Sequence, residues 1–404
     1  MKAVVVEQNL VTALGHGIEA CWAGLLRGTP AFSEVTRFNT KAFPAHIAAC
    51  IPGLDAGISD SLVMQMLTPL LAQVAGKIPE GTLVLLATTT GEVDLLEREL
   101  LKARLGATNH PFLPHKAAGD ASSCRAAGDA SSCRAAGDAS RLDVLLGRVQ
   151  KLLGVTGPGR IISAACASSS AAVAHGAALI ASGARDSVFV VACDAVTEFV
   201  YAGFASLMAL DPDGARPFDK ARKGLTVGEG AAYVWLMSEE RARREHRSSL
   251  GTVAGWGMSC DANHMTGPAR DGDGLARAIE QALKQSGIQA DAVGSLSAHG
   301  TGTSYNDAME MKAFKTVFND RPLPVYSVKG SLGHTMGAAG LVEMIMAFKS
   351  LKEQWAPPSS NLHEVDSDAA GWVSAKPVKM TGMTTVLSTN SGFGGVNAAL
   401  VLTL

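Results

Sequence analysis

Short apolar runs separated by segments of helical length narrow most what this chain can fold into. Residues 4–6, 83–87, 188–192, 231–237, 296–298, 325–327 and 384–387 are too short for helices and nearly free of polar residues. That is the pattern of strands buried on both faces. Alanine-rich segments such as 171–182 and 337–351 lie between several of them. In the second, Leu341, Met344, Ile345 and Phe348 recur at three and four residues, which predicts one apolar helix face. Strand, turn and helix in repetition argue for an α/β fold with largely buried sheets. A polar stretch, 238–249, divides the chain, and each part has strands and helices of its own. Two packed α/β halves, 1–248 and 249–404, are therefore expected.

One segment stands apart. Residues 117–125 read AAGDASSCR, 126–134 repeat them letter for letter, and 135–140 give AAGDAS again. Each copy offers almost no large apolar group, so the repeat cannot stack into a solenoid. It reads as a tandem expansion in a surface loop, carrying Cys124 and Cys133 along with it. With a hydrophobic fraction of 47%, 18% charged residues and a formal charge of −2, the chain can fill a core and has no global pull toward nucleic acid. The one basic cluster, 241–247, reads as a solvated helix end or as a docking patch for an acidic partner. Seven scattered cysteines without zinc or redox spacing fit a reducing compartment. No apolar stretch is long enough for a signal peptide or a membrane span, which points to the cytoplasm.

Four local signals carry chemistry. The first is Ile161-Ile-Ser-Ala-Ala-Cys166-Ala-Ser-Ser-Ser170, an apolar strand that runs into a cysteine opening a helix. The unpaired N–H groups and dipole at a helix N-terminus favour an anion, so a thiol there ionises more easily and can act as a nucleophile. The alternative is an inert buried cysteine. The second is Ser297-Ala-His299-Gly-Thr301-Gly-Thr303, followed by Asn306, Asp307 and Glu310. His299 there is either catalytic or structural, and the two threonines can offer hydroxyls to a bound ligand. The third is Ser327-Val-Lys329-Gly-Ser-Leu-Gly-His334, leading to Glu343. Such a cluster can hold a histidine in one tautomer, though each residue alone also suits a surface charge or a cap. The fourth, Thr389-Asn390-Ser-Gly392-Phe393-Gly394-Gly395, lacks a phosphate loop's lysine and serine and fits better as a donor of backbone N–H to an oxyanion. The stretches 211–214 and 271–274 lack the other ligands of a calcium loop and read as turns.

Taken in order, these signals resemble the motifs of the beta-ketoacyl synthases, members of the thiolase superfamily, across nearly the whole chain. The resemblance also takes in Arg216-Pro-Phe-Asp219 and Gly228-Glu-Gly-Ala231. It is strongest to the decarboxylating synthases with a Cys-His-His triad. It implies a thiolase-like duplicated fold of five layers, αβαβα, and usually a homodimer, or a heterodimer with a ketosynthase-like partner. It further implies that Cys166 takes an acyl group from acyl carrier protein, and that His299 and His334 stabilise the enolate left by decarboxylation of malonyl thioester. Lys329 would order that network with Glu343 in support. Cys166 and Phe393 would donate the oxyanion-hole N–H groups, Phe393 would gate the pocket, and Thr301 and Thr303 would contact phosphopantetheine. No metal and no bound cofactor is implied. The stretch 207–214 is shorter than in fatty-acid synthases of this type, which leaves the acyl chain and pathway (fatty acid, polyketide or aryl polyene) open. Two alternatives are a catalytically silent partner of the chain-length-factor kind and a non-decarboxylating thiolase-like enzyme. The first lacks the nucleophilic cysteine, and the second needs another cysteine after Cys260, where this chain has none.

Overall fold

The computed structural model describes residues 1–105, 140–319 and 321–404. The nine-residue repeat, with Cys124 and Cys133, lies outside them apart from Ser140. Among the described residues, ten strands run across the main sheet: β1 (Ala3–Thr12), β2 (Leu83–Ala87), β3 (Gly159–Ile162), β4 (Ser187–Asp194), β5 (Gly230–Ser238), β6 (Gly251–Cys260), β7 (Ser295–Ser297), β8 (Val325–Tyr326), β9 (Thr385–Gly392) and β10 (Val396–Thr403), and an eleventh, two-residue strand at Gly15–His16 pairs back on the end of β1. Their order is β8-β7-β9-β10-β6-β1-β5-β4-β2-β3. Read from either edge inward, the two sides follow the same plan. β2 is parallel to β3 and β4 as β7 is to β8 and β9, and the remaining pairs are antiparallel. The sides meet where Ala3–Val5 of β1 pair with Gly251–Val253 of β6.

The helices that matter are α1 (Leu62–Leu71), α2 (Leu142–Leu153), α3 (Ser168–Ala181), α4 (Glu198–Ser206), α5 (Asp273–Ser286), α6 (Ser304–Phe318) and α7 (Ala339–Glu353). Alternate residues of one strand point into different layers, as strand geometry requires. Leu86 and Val191 pack outward with Leu67 of α1 and Leu145 of α2. Leu85 and Val190 pack inward with Val173 of α3 and Ile345 of α7, together with Leu400 and Leu402 from the other side. Leu387 and Val401 pack outward again, with Ile279 of α5 and Phe314 of α6. The result is αβαβα, with α3 and α7 as the central layer. No helix among the described residues is long and apolar enough to cross a membrane.

Three details differ from the sequence expectations. The expected single apolar face of α7 is a helix buried on every side, since each residue from Ala339 to Leu351 is buried. It lies between the two sides of the main sheet, so even its buried charged residues have partners: Glu343 meets Lys329, and Lys349 meets Glu19 and Glu353. Strand β6 carries no apolar run because glycine occupies the face on which α5 lies. A Cβ at Gly255 would sit 2.1 Å from the carbonyl oxygen of Ala282, and one at Gly257 1.9 Å from that of Ala278. Part of the basic cluster is turned inward. Arg241 pairs with Asp186 and Glu245, and the Arg247 guanidinium lies 4.0 Å from the Trp235 ring centroid.

Candidate active site

Strand β3 leads to a tight connection before α3, and Cys166 sits in it. The preceding Ala165 has φ of 48°, an uncommon left-handed conformation for alanine. The Ser168 hydroxyl holds the turn, accepting from the Ala164 N–H at 2.8 Å and donating to the Ala165 carbonyl at 2.5 Å. Gly392 closes over it: a Cβ there would lie 3.0 Å from the Ala164 oxygen and 3.1 Å from the Cys166 nitrogen. The expected ease of ionisation is not what the site provides at rest. Burial pushes the Cys166 thiol up to about 11, against the charge of Lys329 and the Phe393 N–H, which favour the thiolate.

His299 follows β7, and its backbone is fixed by Glu310. That carboxyl accepts the N–H groups of His299 and Gly300 at 2.7 and 2.6 Å. The Lys329 ammonium spends all three donors nearby, on the His299 carbonyl at 2.5 Å, on His299 Nδ1 at 3.2 Å and on Glu343. Asn390 divides its amide in the same way. Its Nδ2 donates to Glu343 at 2.7 Å and lies 3.3 Å from His299 Nδ1, while its Oδ1 accepts from Ser170 at 2.5 Å. Two donors thus face His299 Nδ1, which leaves the ring proton on Nε2.

His334 is held from a different direction. Its N–H donates to the Thr226 carbonyl at 2.7 Å and its carbonyl accepts from Gly228 at 3.0 Å. Its Nδ1 accepts from the Met336 N–H at 3.3 Å, and its buried Nε2 has no protein partner. Here too the proton belongs on Nε2. The two imidazoles meet edge to face, centroids 5.2 Å apart. Burial holds both far below the usual histidine range, reinforced by the Lys329 charge, so both are neutral. Cys166 Sγ and one nitrogen of each histidine lie within 4.8 Å of one another. Those atom types can ligate a metal, and among the described residues this is the one such group. The Lys329 ammonium against His299 would oppose a second cation there.

A cavity of about 700 Å³ runs from this triad to the surface. Thr301 and Thr303 line it with hydroxyls 2.9 Å apart, and Phe393 and Phe204 flank its deep end. The Phe204 ring lies 6.0 Å from that of Phe393 and 6.2 Å from that of His334. At the mouth stand Met208, 87% exposed, and Tyr305. The structure therefore gathers Cys166, His299, His334, Phe393, Thr301 and Thr303 along one cavity, with Lys329 and Glu343 buried behind His299. Sequence reasoning missed the linking role of Asn390. It also missed Asp194, a fully buried carboxylate at the end of β4 that accepts from Thr88, Thr89, Thr90 and the N–H of Gly337. An acidic residue closing an otherwise apolar strand was the available signal for Asp194.

Comparison with known proteins gives the following. Residues 115–242 match the family model described as beta-ketoacyl synthase, N-terminal domain, and residues 250–363 match the one described as beta-ketoacyl synthase, C-terminal domain. The 3-oxoacyl-[acyl-carrier-protein] synthase 2 of Coxiella burnetii is 29% identical over 99% of this chain and 98% of its own length. The protein of the same name from Vibrio cholerae is 28% identical over the same shares. Among solved structures, the ishigamide ketosynthase/chain length factor superposes with a TM-score of 0.86 at 28% identity, covering 100% of this chain and 98% of that one. Neither the silent-partner nor the thiolase-like alternative is favoured by these matches.

Proposed function

This chain belongs to the beta-ketoacyl synthase family, and we propose that it runs a decarboxylative Claisen condensation with Cys166 as nucleophile and His299 and His334 as paired N–H donors. The observation that carries the proposal is the tautomer pattern. Each imidazole has its Nδ1 turned to protein donors, which leaves Nε2–H as its donor, and one nitrogen of each ring lies within 4.8 Å of the Cys166 sulfur.

In the first half-reaction the Cys166 sulfur attacks an acyl thioester on the phosphopantetheine of acyl carrier protein. The carbon–sulfur bond to pantetheine breaks, and the proton that leaves Cys166 ends on the departing thiol. In the second, malonyl-acyl carrier protein loses carbon dioxide, and the electron pair of the broken bond becomes an enolate. Two neutral N–H donors in a buried site stabilise that oxygen without a metal. The enolate carbon attacks the acyl group on Cys166, and the N–H groups of Cys166 and Phe393 receive the oxyanion. Collapse expels the Cys166 thiolate, which takes up one proton, as its high resting pKa favours. Lys329, with Glu343 and Asn390, orders His299. Thr301 and Thr303 contact the pantetheine arm, and Phe393 gates the acyl pocket.

The same reading divides the chain at 248/249 into two thiolase-like halves, supported by the repeated strand order. It places the protein in the cytoplasm, acting on carrier-bound substrates without a cofactor of its own. It pairs the chain with a second copy or a ketosynthase-like partner, supported by β3, which among the described residues ends the sheet with one unpaired edge. The test is intact-protein mass after incubation with a panel of acyl-carrier-protein thioesters. Loading of the wild type but not of Cys166→Ala is expected, and a variant that still loads overturns the nucleophile assignment.

A further inference from the structure

His299 is ordered by Lys329 and Asn390, but neither touches His334, whose ring proton must aim at the same enolate oxygen. Its own support starts from a buried ion pair. Glu229 is fully buried, and the Arg37 guanidinium grips it with both terminal nitrogens, at 2.5 and 2.6 Å. The same carboxylate accepts the N–H of Ile51 at 2.7 Å and of Val196 at 3.0 Å, and Arg37 also reaches the Ile51 carbonyl at 3.3 Å. One side chain thus joins three segments that are distant in sequence.

Two of those segments, at Ile51 and Val196, lead to His334, as do the residues just before Glu229. Residues 226–228 lie between Ala49 on one side and His334 on the other, in two parallel bridges. The Ala49 N–H donates to the Val227 carbonyl at 2.9 Å, and the Glu229 N–H to the Ala49 carbonyl at 3.2 Å. On the opposite edge Thr226 and Gly228 take both backbone groups of His334. There is no slack in this contact: a Cβ at Gly228 would sit 2.3 Å from the Leu332 oxygen. Val196 continues through the cap Thr197 into α4, which brings Phe204 against the imidazole ring. Backbone and ring of His334 are therefore both referred to Glu229.

We propose that the Arg37–Glu229 pair is a positioning device for His334, acting on the decarboxylation half-reaction and not on acyl loading. The proposal rests on the two-histidine reading above. A misplacement of His334 lengthens its bond to the developing enolate oxygen, whereas thioester attack draws on the backbone N–H groups of Cys166 and Phe393; among the described residues the network makes no hydrogen bond to either residue and approaches Phe393 only through the Phe204 ring, centroids 6.0 Å apart.

The experiment uses Glu229→Gln and Arg37→Met in the full chain, with three readouts: Cys166 loading by intact mass, carbon dioxide release from malonyl-acyl carrier protein, and melting temperature. In both variants carbon dioxide release is expected to fall about ten- to hundredfold while the loading rate stays within about twofold. Arg37→Lys, which keeps the charge but loses the fork, is expected to recover part of the lost release. A fall of loading and release in equal proportion, or a lower melting temperature with both rates unchanged, would reduce the pair to a structural role and overturn the proposal. A wild type that loads but releases no carbon dioxide would instead overturn the two-histidine reading, and the proposal with it.

Discussion

Replacing Lys329 by methionine is expected to separate stability from chemistry. The wild-type pair is buried on both sides, with Lys329 and Glu343 each 1% exposed. Methionine fills a similar volume, so the main damage is a carboxylate left with Asn390 as its remaining donor. Breaking a buried pair from one side costs about 3–5 kcal/mol. Unfolding entropy near 2.1 cal/mol/K per residue over 404 residues is about 0.85 kcal/mol/K, so the melting temperature should fall by about 4–6 °C. The deficit should depend on pH. Burial already raises the Glu343 carboxyl, and losing Lys329 raises it further. A folded pKa above the unfolded one contributes stability that is present below the unfolded value and lost as pH rises through the folded value. The deficit should accordingly be small near pH 5 and grow toward pH 8. In Lys329→Met/Glu343→Gln no charge is orphaned, and most of the lost melting temperature should return. Carbon dioxide release should stay low, because His299 Nδ1 has lost its ammonium partner. Calorimetry across pH, with release assayed in parallel, reads both effects. A single variant as stable as the double at pH 8 would refute the reasoning.

Other outcomes follow from the same geometry. His334→Ala should slow carbon dioxide release about a hundredfold or more, the scale of losing one oxyanion donor, while Cys166 loading changes by a few-fold at most; single-turnover assays of each step check this. Because both histidines are held well below their usual range, release should not decline between pH 8 and 6.5, and a midpoint at 6.5 in the rate profile would contradict their burial as neutral rings. Glu310 is pushed up to about 8 by burial, so it binds a proton in the folded state that the unfolded chain gives up near 4.5, and folding loses its contribution as pH rises through 8. Glu310→Gln should therefore lose less melting temperature than the wild type between pH 6 and 9. Gly340→Ala would place a Cβ 2.1 Å from Ser170 Oγ, where α7 crosses the start of α3; overpacking of about 1–3 kcal/mol should appear in denaturant unfolding.

The sequence announced those parts of the fold whose physics is local. Strands β2, β4 and β5 are buried on both faces, so their apolar runs are unbroken and legible. Strand β6 was illegible because its buried face is glycine, a choice set by the approach of α5 and invisible without it. The four motifs were legible because each joins a strand end to a turn. Asn390 and Asp194 were not, since what they do depends on partners from distant segments: Ser170 and Glu343 for one, Thr88 to Thr90 and Gly337 for the other. The state of the thiol was open for a related reason. A helix N-terminus can be read from sequence, whereas the burial that opposes ionisation cannot.

Strand β1 lies in the middle of the sheet, with Ala3 opposite both Ser238 and Val253. During synthesis its partners leave the ribosome long after it does, by about 10 to 50 s at ordinary elongation rates. Throughout that interval Val4, Val5 and Leu10, all buried in the finished protein, lack the β5 and β6 strands that they pair with or lie beside. A nascent chain of this kind is a natural client for chaperones that shield apolar segments. Its yield should therefore depend on chaperone supply and translation speed more than on the stability of the folded enzyme.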